Sequence, residues 1–168
     1  MRRLVVGEGN IFADLVIVGE APGSKEDQEG KPFIGKSGKL LKTLLVKSGL
    51  NIKKEIYFCN VIKSRPPNNR KPTSLEISKH KPWLLQQIKL IEPKVVVLTG
   101  STAMKAVLEI KNPISKMRGK WICKDGISYL VIFHPSYLLR FSKTVMNNPY
   151  GLTLQDLQNV RNKLYNSI

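Results

Sequence analysis

Apolar residues concentrate in four unbroken runs: Leu15-Val16-Ile17-Val18, Ile56-Tyr57-Phe58-Cys59, Val95-Val96-Val97-Leu98 and Leu130-Val131-Ile132-Phe133. Continuous rather than alternating apolar runs predict strands covered on both faces. Between them the period changes. Leu40, Leu41, Leu44 and Leu45 repeat as i, i+1, i+4, i+5 and predict an amphipathic helix over 37–48, ended by Gly49. Thr73 and Glu76 form a capping-box pattern that starts a helix near Ser74 and carries it to Ile91, with Pro82 as a potential kink. A short helix follows over 101–108. Leu154, Leu157, Val160 and Leu164 mark a C-terminal helix over 154–164. Strands alternating with helices predict an α/β class, a three-layer α/β/α domain around a central four-stranded, mostly parallel sheet. The 168 residues read as a single domain, 1–168, without repeats or linkers. The first 13 residues form a basic lead-in with a turn at Gly7-Glu8-Gly9-Asn10, and a small hairpin is expected around Lys124-Asp125-Gly126.

Each predicted strand empties into a loop rich in functional groups. The first runs into Gly19-Glu20-Ala21-Pro22-Gly23, then Glu26, Asp27 and Phe33. The second runs into Asn60 and a basic, proline-rich loop from Lys63 to Pro72. The third reaches Gly100 and Ser101, and the fourth His134-Pro135-Ser136. In a parallel sheet these loops share the carboxyl edge, where open α/β folds bind ligands. An aromatic, an amide, an imidazole and carboxylates together suit a planar polar heterocycle. Phe33 would stack on it, Asn60 would donate and accept along its edge, and His134 would stabilise charge developing on a carbonyl oxygen. Taken singly, each residue has a plainer reading: Phe33 as core, Asn60 as a turn residue, Glu26 and Asp27 as a solvated acidic pair. Trp83 and Trp121 read as core or interface residues, and His80 as a surface or loop contact.

Charge adds a partner class. Lys and Arg number 28 against 12 Asp and Glu, a formal charge of +16, which favours an acidic polymer such as nucleic acid. Sparse cysteines, Cys59 and Cys123, with no CxxC pair, fit a reducing interior and indicate no thiolate metal site. No signal peptide and no membrane-spanning run stand out, so an intracellular location, cytoplasmic or nucleoid-associated, is expected, with no membrane partner.

Four stretches, GEAPGSKEDQEGKPFIGKSGKLL, NVIKSRPPNNRKPT, VVVLTG and HPSYLLR, resemble the uracil-DNA glycosylase superfamily, most closely its family four. The resemblance covers nearly the whole chain in order. It implies hydrolysis of the N-glycosidic bond of uracil flipped out of DNA, leaving an abasic site. It also implies roles. Glu20, Ala21, Pro22 and Gly23 would line the base pocket, Phe33 would stack on uracil, Asn60 would read its edge, and His134 would support the departing anion. Ala21 stands where another branch of the superfamily has Asp, so Glu26 is the preferred water-activating carboxylate and Glu20 the pocket residue. Lys36, Arg65, Arg70, Ser101 and Ser136 would contact DNA, and Leu138, Leu139 and Arg140 would enter the duplex where the base has left.

The family carries a four-iron four-sulfur cluster on four cysteines. The family's first pair lies before the start of this chain, Ser64 and His80 stand at the other two positions, and Cys59 and Cys123 match none. No cofactor and no metal ligand is therefore expected. The competing expectation is a glycosylase-fold DNA-binding or assembly protein without catalysis; salt-dependent DNA binding with no base release would separate the two. A relative acting on another deaminated base, such as hypoxanthine, is a third.

Overall fold

A computed structural model describes residues 2–166. After a two-residue strand β1 (Glu8–Gly9) come β2 (Leu15–Gly19), the short α1 (Ser24–Glu29), α2 (Lys36–Lys47), one turn of α3 (Ile52–Glu55) and β3 (Ile56–Asn60). The chain continues through α4 (Ser74–Ile91), β4 (Val95–Thr99), α5 (Ser101–Leu108) and a turn of α6 (Ile114–Met117). The hairpin of β5 (Trp121–Lys124) and β6 (Ile127–Ile132), then α7 (Pro135–Leu138) and α8 (Pro149–Tyr165), complete it.

The sheet holds six strands in the order β1-β3-β2-β4-β6-β5, not four. The four expected strands form the parallel centre, and two antiparallel edges flank it. The β5–β6 pair is the hairpin expected around Lys124-Asp125-Gly126, whereas β1 escapes the pattern because it buries little. β5 is largely exposed, and β1 pairs only Glu8 with Phe58 and Gly9 with Tyr57 where a turn was expected. The 24–29 stretch is likewise a helix rather than a loop, and α8 begins five residues before its leucine stripe.

Alternate residues of each central strand face opposite layers. Leu15, Ile17, Val95, Val97, Leu130 and Ile132 pack with Leu41, Leu44 and Leu45 of α2 and Leu157 and Val160 of α8. Val16, Val18, Val96, Leu98 and Val131 pack with Leu84 and Ile88 of α4 and Met104 and Val107 of α5. This double burial is why the strands read as unbroken apolar runs. Helix α4 runs through the exposed Pro82, and its start carries the expected reciprocal capping box between Thr73 and Glu76.

The connections fix where a ligand can lie. From β2 the chain moves outward to β3, then crosses back past β2 to β4 on its other side. The carboxyl ends of β2 and β4 therefore diverge at a topological switch point, which opens a crevice between their loops.

Candidate active site at the carboxyl ends of the strands

A cleft of about 540 Å³ occupies that crevice. Residues 20–23 after β2 form one wall, and Asn60, from the last position of β3, lies beside them. Glu26 comes from α1, Phe33 from the turn after it and Lys36 from the first position of α2; His134 and Ser136 come from the start of α7. Arg70 and Leu139 also reach the cleft.

The base-sized part of the cleft is tightly built. Asn60 is 4% exposed and Phe33 8%. Gly19 lies between them: a Cβ there would stand 2.7 Å from Phe33 Cζ and would also overlap Asn60 Oδ1. Only glycine lets the amide and the ring approach each other. Phe33 itself has φ +53°, a left-handed conformation that a bulky residue adopts at a cost of about 1–3 kcal/mol. Two contacts hold it there. Its ring packs on Phe58 at 5.4 Å between centroids, and the next two residues are pinned by Glu26. Glu26 Oε1 accepts from Gly35 N–H at 2.8 Å and Ile34 N–H at 3.2 Å. Glu26 is 9% exposed, wedged between the backbones of Gly23 and Gly35.

Glu20 is bound differently. The Thr102 hydroxyl in the first turn of α5 donates to Glu20 Oε2 at 2.5 Å, directly across the switch-point crevice. His134 caps α7, its Nδ1 accepting the Ser136 backbone N–H at 3.1 Å. A nitrogen that accepts a backbone proton is unprotonated, so the neutral ring carries its proton on Nε2. Burial pushes the His134 pKa below its ordinary value, partly opposed by the Glu20 charge, so the imidazole is neutral at physiological pH. The ring rests against Gly100, whose φ of +93° and missing side chain leave room for it.

The remaining expected contacts divide. Lys36, Arg70, Ser136 and Leu139 sit at the mouth, while Ser101 opens α5 and Arg140 is exposed beyond α7. Arg65 is half-buried, its Nε donating to Asn69 Oδ1 at 2.8 Å. Leu138, expected at the DNA surface, is instead a core residue, 1% exposed, while its neighbour Leu139 is 42% exposed. Trp83 and Trp121 are surface residues, 54% and 37% exposed, not core. Sequence reasoning missed Thr102, Gly19 and Lys63. Only Gly19 had a signal, as the small residue at a strand end.

The residues present do not fit a four-thiolate cluster. Cys59 is fully buried in β3 and Cys123 is exposed on β5, four strand spacings or about 19 Å away. At the family's ligand positions, Ser64 follows Lys63, whose backbone N–H donates at 2.9 Å to His80 Nδ1. Among the described residues no group of three or more His, Cys, Asp or Glu is placed to hold a metal ion, and no helix is long and apolar enough to cross a membrane. The basic loop is instead held by protein groups: Arg70 forks onto both oxygens of Glu76, at 2.8 Å each, and that pairing draws the Glu76 pKa down to about 2.

Comparison with known proteins places the whole chain. The uracil DNA glycosylase superfamily model matches residues 6–158. A Type-4 uracil-DNA glycosylase of Thermotoga maritima is 41% identical over 163 residues, covering 95% of this chain and 82% of the relative. One from Archaeoglobus fulgidus is 39% identical over 145 residues, 80% of this chain and 71% of the relative. A Type-5 uracil-DNA glycosylase of Pyrobaculum aerophilum is 28% identical over 147 residues, 77% and 64% of the two chains. With the family model spanning most of its length and close relatives along nearly all of it, the chain belongs to the uracil-DNA glycosylase superfamily.

Proposed function

We propose that the protein is a DNA repair glycosylase that hydrolyses the N-glycosidic bond of uracil in DNA, inside the cell. The observation that carries this reading is the convergence of Phe33, Asn60, His134 and Glu20 on one cleft at the switch point. Flipping the base out costs a few kcal/mol, and stacking and edge bonds in the cleft offset it. Phe33 covers the ring face and Asn60 pairs with its polar edge.

As the bond from C1′ to N1 breaks, both electrons stay with N1 and negative charge spreads to the uracil oxygens. The Nε2–H of His134 donates to that charge, beside the buried Asn60 and Phe33. The sugar left behind is cationic. Water adds at C1′ and gives up a proton that ends on the uracil anion, so the products are free uracil and an abasic sugar. Glu20 suits the water and the cation better than Glu26. The Glu26 carboxylate is spent on the Ile34 and Gly35 amides, whereas Glu20 is held through one oxygen by Thr102 beside His134. Arg70, Lys36 and Ser136 at the mouth supply phosphate contacts that position the strand, with Leu139 and Arg140 beyond them entering the duplex. No step passes through an iron-sulfur cluster; side-chain bonds hold the basic loop.

The test is a duplex carrying one uracil. The protein should leave an alkali-labile abasic site there and none in the thymine control. No release at enzyme excess would sink the reading and leave a DNA-binding protein of the same fold.

A further inference from the structure

Lys63 is a buried amine that the chemistry above does not use. It is 1% exposed, whereas lysine side chains are almost never fully buried unless paired. Among the described residues no carboxylate is bonded to it. Nζ donates to the backbone carbonyl of Asn60 at 2.7 Å and to Oε1 of Gln87 on α4. Its charge acts on the buried Cys59 thiol, which burial pushes up to about 11 and so keeps neutral, and on His80, which meets its backbone.

We propose that Lys63 is the positioning residue for Asn60: its amine ties the carbonyl of the strand-end asparagine to Gln87 and so sets the direction of the base-reading amide. This rests on the glycosylase reading. The geometry makes the tie specific. Beyond Asn60, the Val61 and Ile62 N–H groups bond back to the carbonyls of Gly19 and Glu20, at 2.9 and 3.0 Å. That fixes one side of the stretch to β2. On the other side, β1 pairs with β3 only at Tyr57 and Phe58 and does not extend to Asn60. Lys63 takes over there. Its own backbone is clamped, N–H to His80 and carbonyl to Val5 N–H at 2.7 Å, and its side chain folds back over the turn. The Asn60 carbonyl defines the 60–61 peptide plane, and that plane orients the Asn60 Cα–Cβ bond. A shift of about 1 Å in a positioning group can cost on the order of 100-fold in rate.

The experiment uses the full chain under single-turnover conditions on uracil DNA, with inhibition by free uracil as a second readout. Lys63→Met keeps the stem and removes both bonds. It should lower the rate on the order of 100-fold and weaken free-uracil inhibition, with DNA affinity held within about twofold. In an Asn60→Ala background the same change should have no further effect, because Lys63 acts through that amide. Gln87→Leu, at a half-exposed position on α4, covers the case in which Lys63→Met does not fold. It should show the same pattern at about tenfold, again absent in Asn60→Ala. Losses that multiply with Asn60→Ala, or an unchanged rate in Lys63→Met, overturn the assignment. A wild-type chain that releases no uracil overturns the glycosylase reading itself.

Discussion

Glu20 and Glu26 are six positions apart and both line the cleft, yet their surroundings give them different work. Glu26 accepts two backbone N–H groups and thereby keeps Phe33 in its left-handed conformation. Glutamine can still accept at Oε1, so Glu26→Gln should cost less than about tenfold in single-turnover excision. Glu20→Gln removes the charge that the proposed mechanism sets against the cationic sugar and should cost on the order of 100-fold or more. The reverse ranking would return the water to Glu26, where the motif alone had put it. Leu138 and Leu139 make the same point with apolar side chains. They are adjacent and chemically equal, but the helical turn of α7 points one into the core and the other towards the cleft.

At the scale of elements, two helices anchor the loops around the cleft. The first turn of α5 delivers the Thr102 hydroxyl to Glu20, and a hydrogen bond to a charged group contributes about 1.5–3 kcal/mol. Thr102→Val preserves shape and core packing while removing that donor. Excision should fall by roughly 10- to 100-fold with the melting temperature little changed; an unaltered rate would mean that Glu20 needs no such anchor. The second helix, α4, carries His80 against the basic loop. Burial first, and the Lys63 charge second, hold the His80 pKa below its ordinary 6.5. The unfolded chain therefore binds a proton below pH 6.5 that the folded chain resists, and folding stability declines as the pH drops from there towards the depressed value. The cause is local, since an imidazolium cannot accept the Lys63 N–H. His80→Asn keeps an acceptor that does not titrate. Urea midpoints at pH 7.5 and 5.5 should draw closer in this variant than in the wild type, and an equal gap would place the acid sensitivity elsewhere.

Across the whole molecule, one ion pair joins the C-terminal helix to the turn before β5. Both Arg118 nitrogens that face Asp156 bond its carboxylate, and Asp156 is 1% exposed. Burial raises the Asp156 pKa and Arg118 pulls it back, so the acid is tolerated there only with its partner. Removing one member leaves the other poorly solvated. Asp156→Ala should lose about 3–5 kcal/mol of unfolding free energy by denaturant titration, and a loss under 1 kcal/mol would show that the guanidinium finds water instead. The +16 charge acts at this scale too, since it draws DNA to the surface without specifying where the base enters.

The four central strands were legible because burial on both faces leaves an unbroken apolar run, and the capping box of α4 because it is local, three residues wide. Of the exposed edges, β5 was marked only by the Asp125-Gly126 turn, and β1 not at all. The pocket set Phe33, Asn60 and His134 was legible through its motifs, and Glu20 as a member of them. The separate hydrogen bonds of Glu20 and Glu26, the contacts of Thr102 and Lys63, and the exposure of Leu139 beside the buried Leu138 were decided by tertiary structure. The physical reason is range. Periodicity and capping act over a few residues, but Glu20 meets a hydroxyl 82 positions away, and Lys63 Nζ an amide 24 positions away. Such pairings exist only once the sheet order brings the loop after β2 against the start of α5, and the loop after β3 against α4.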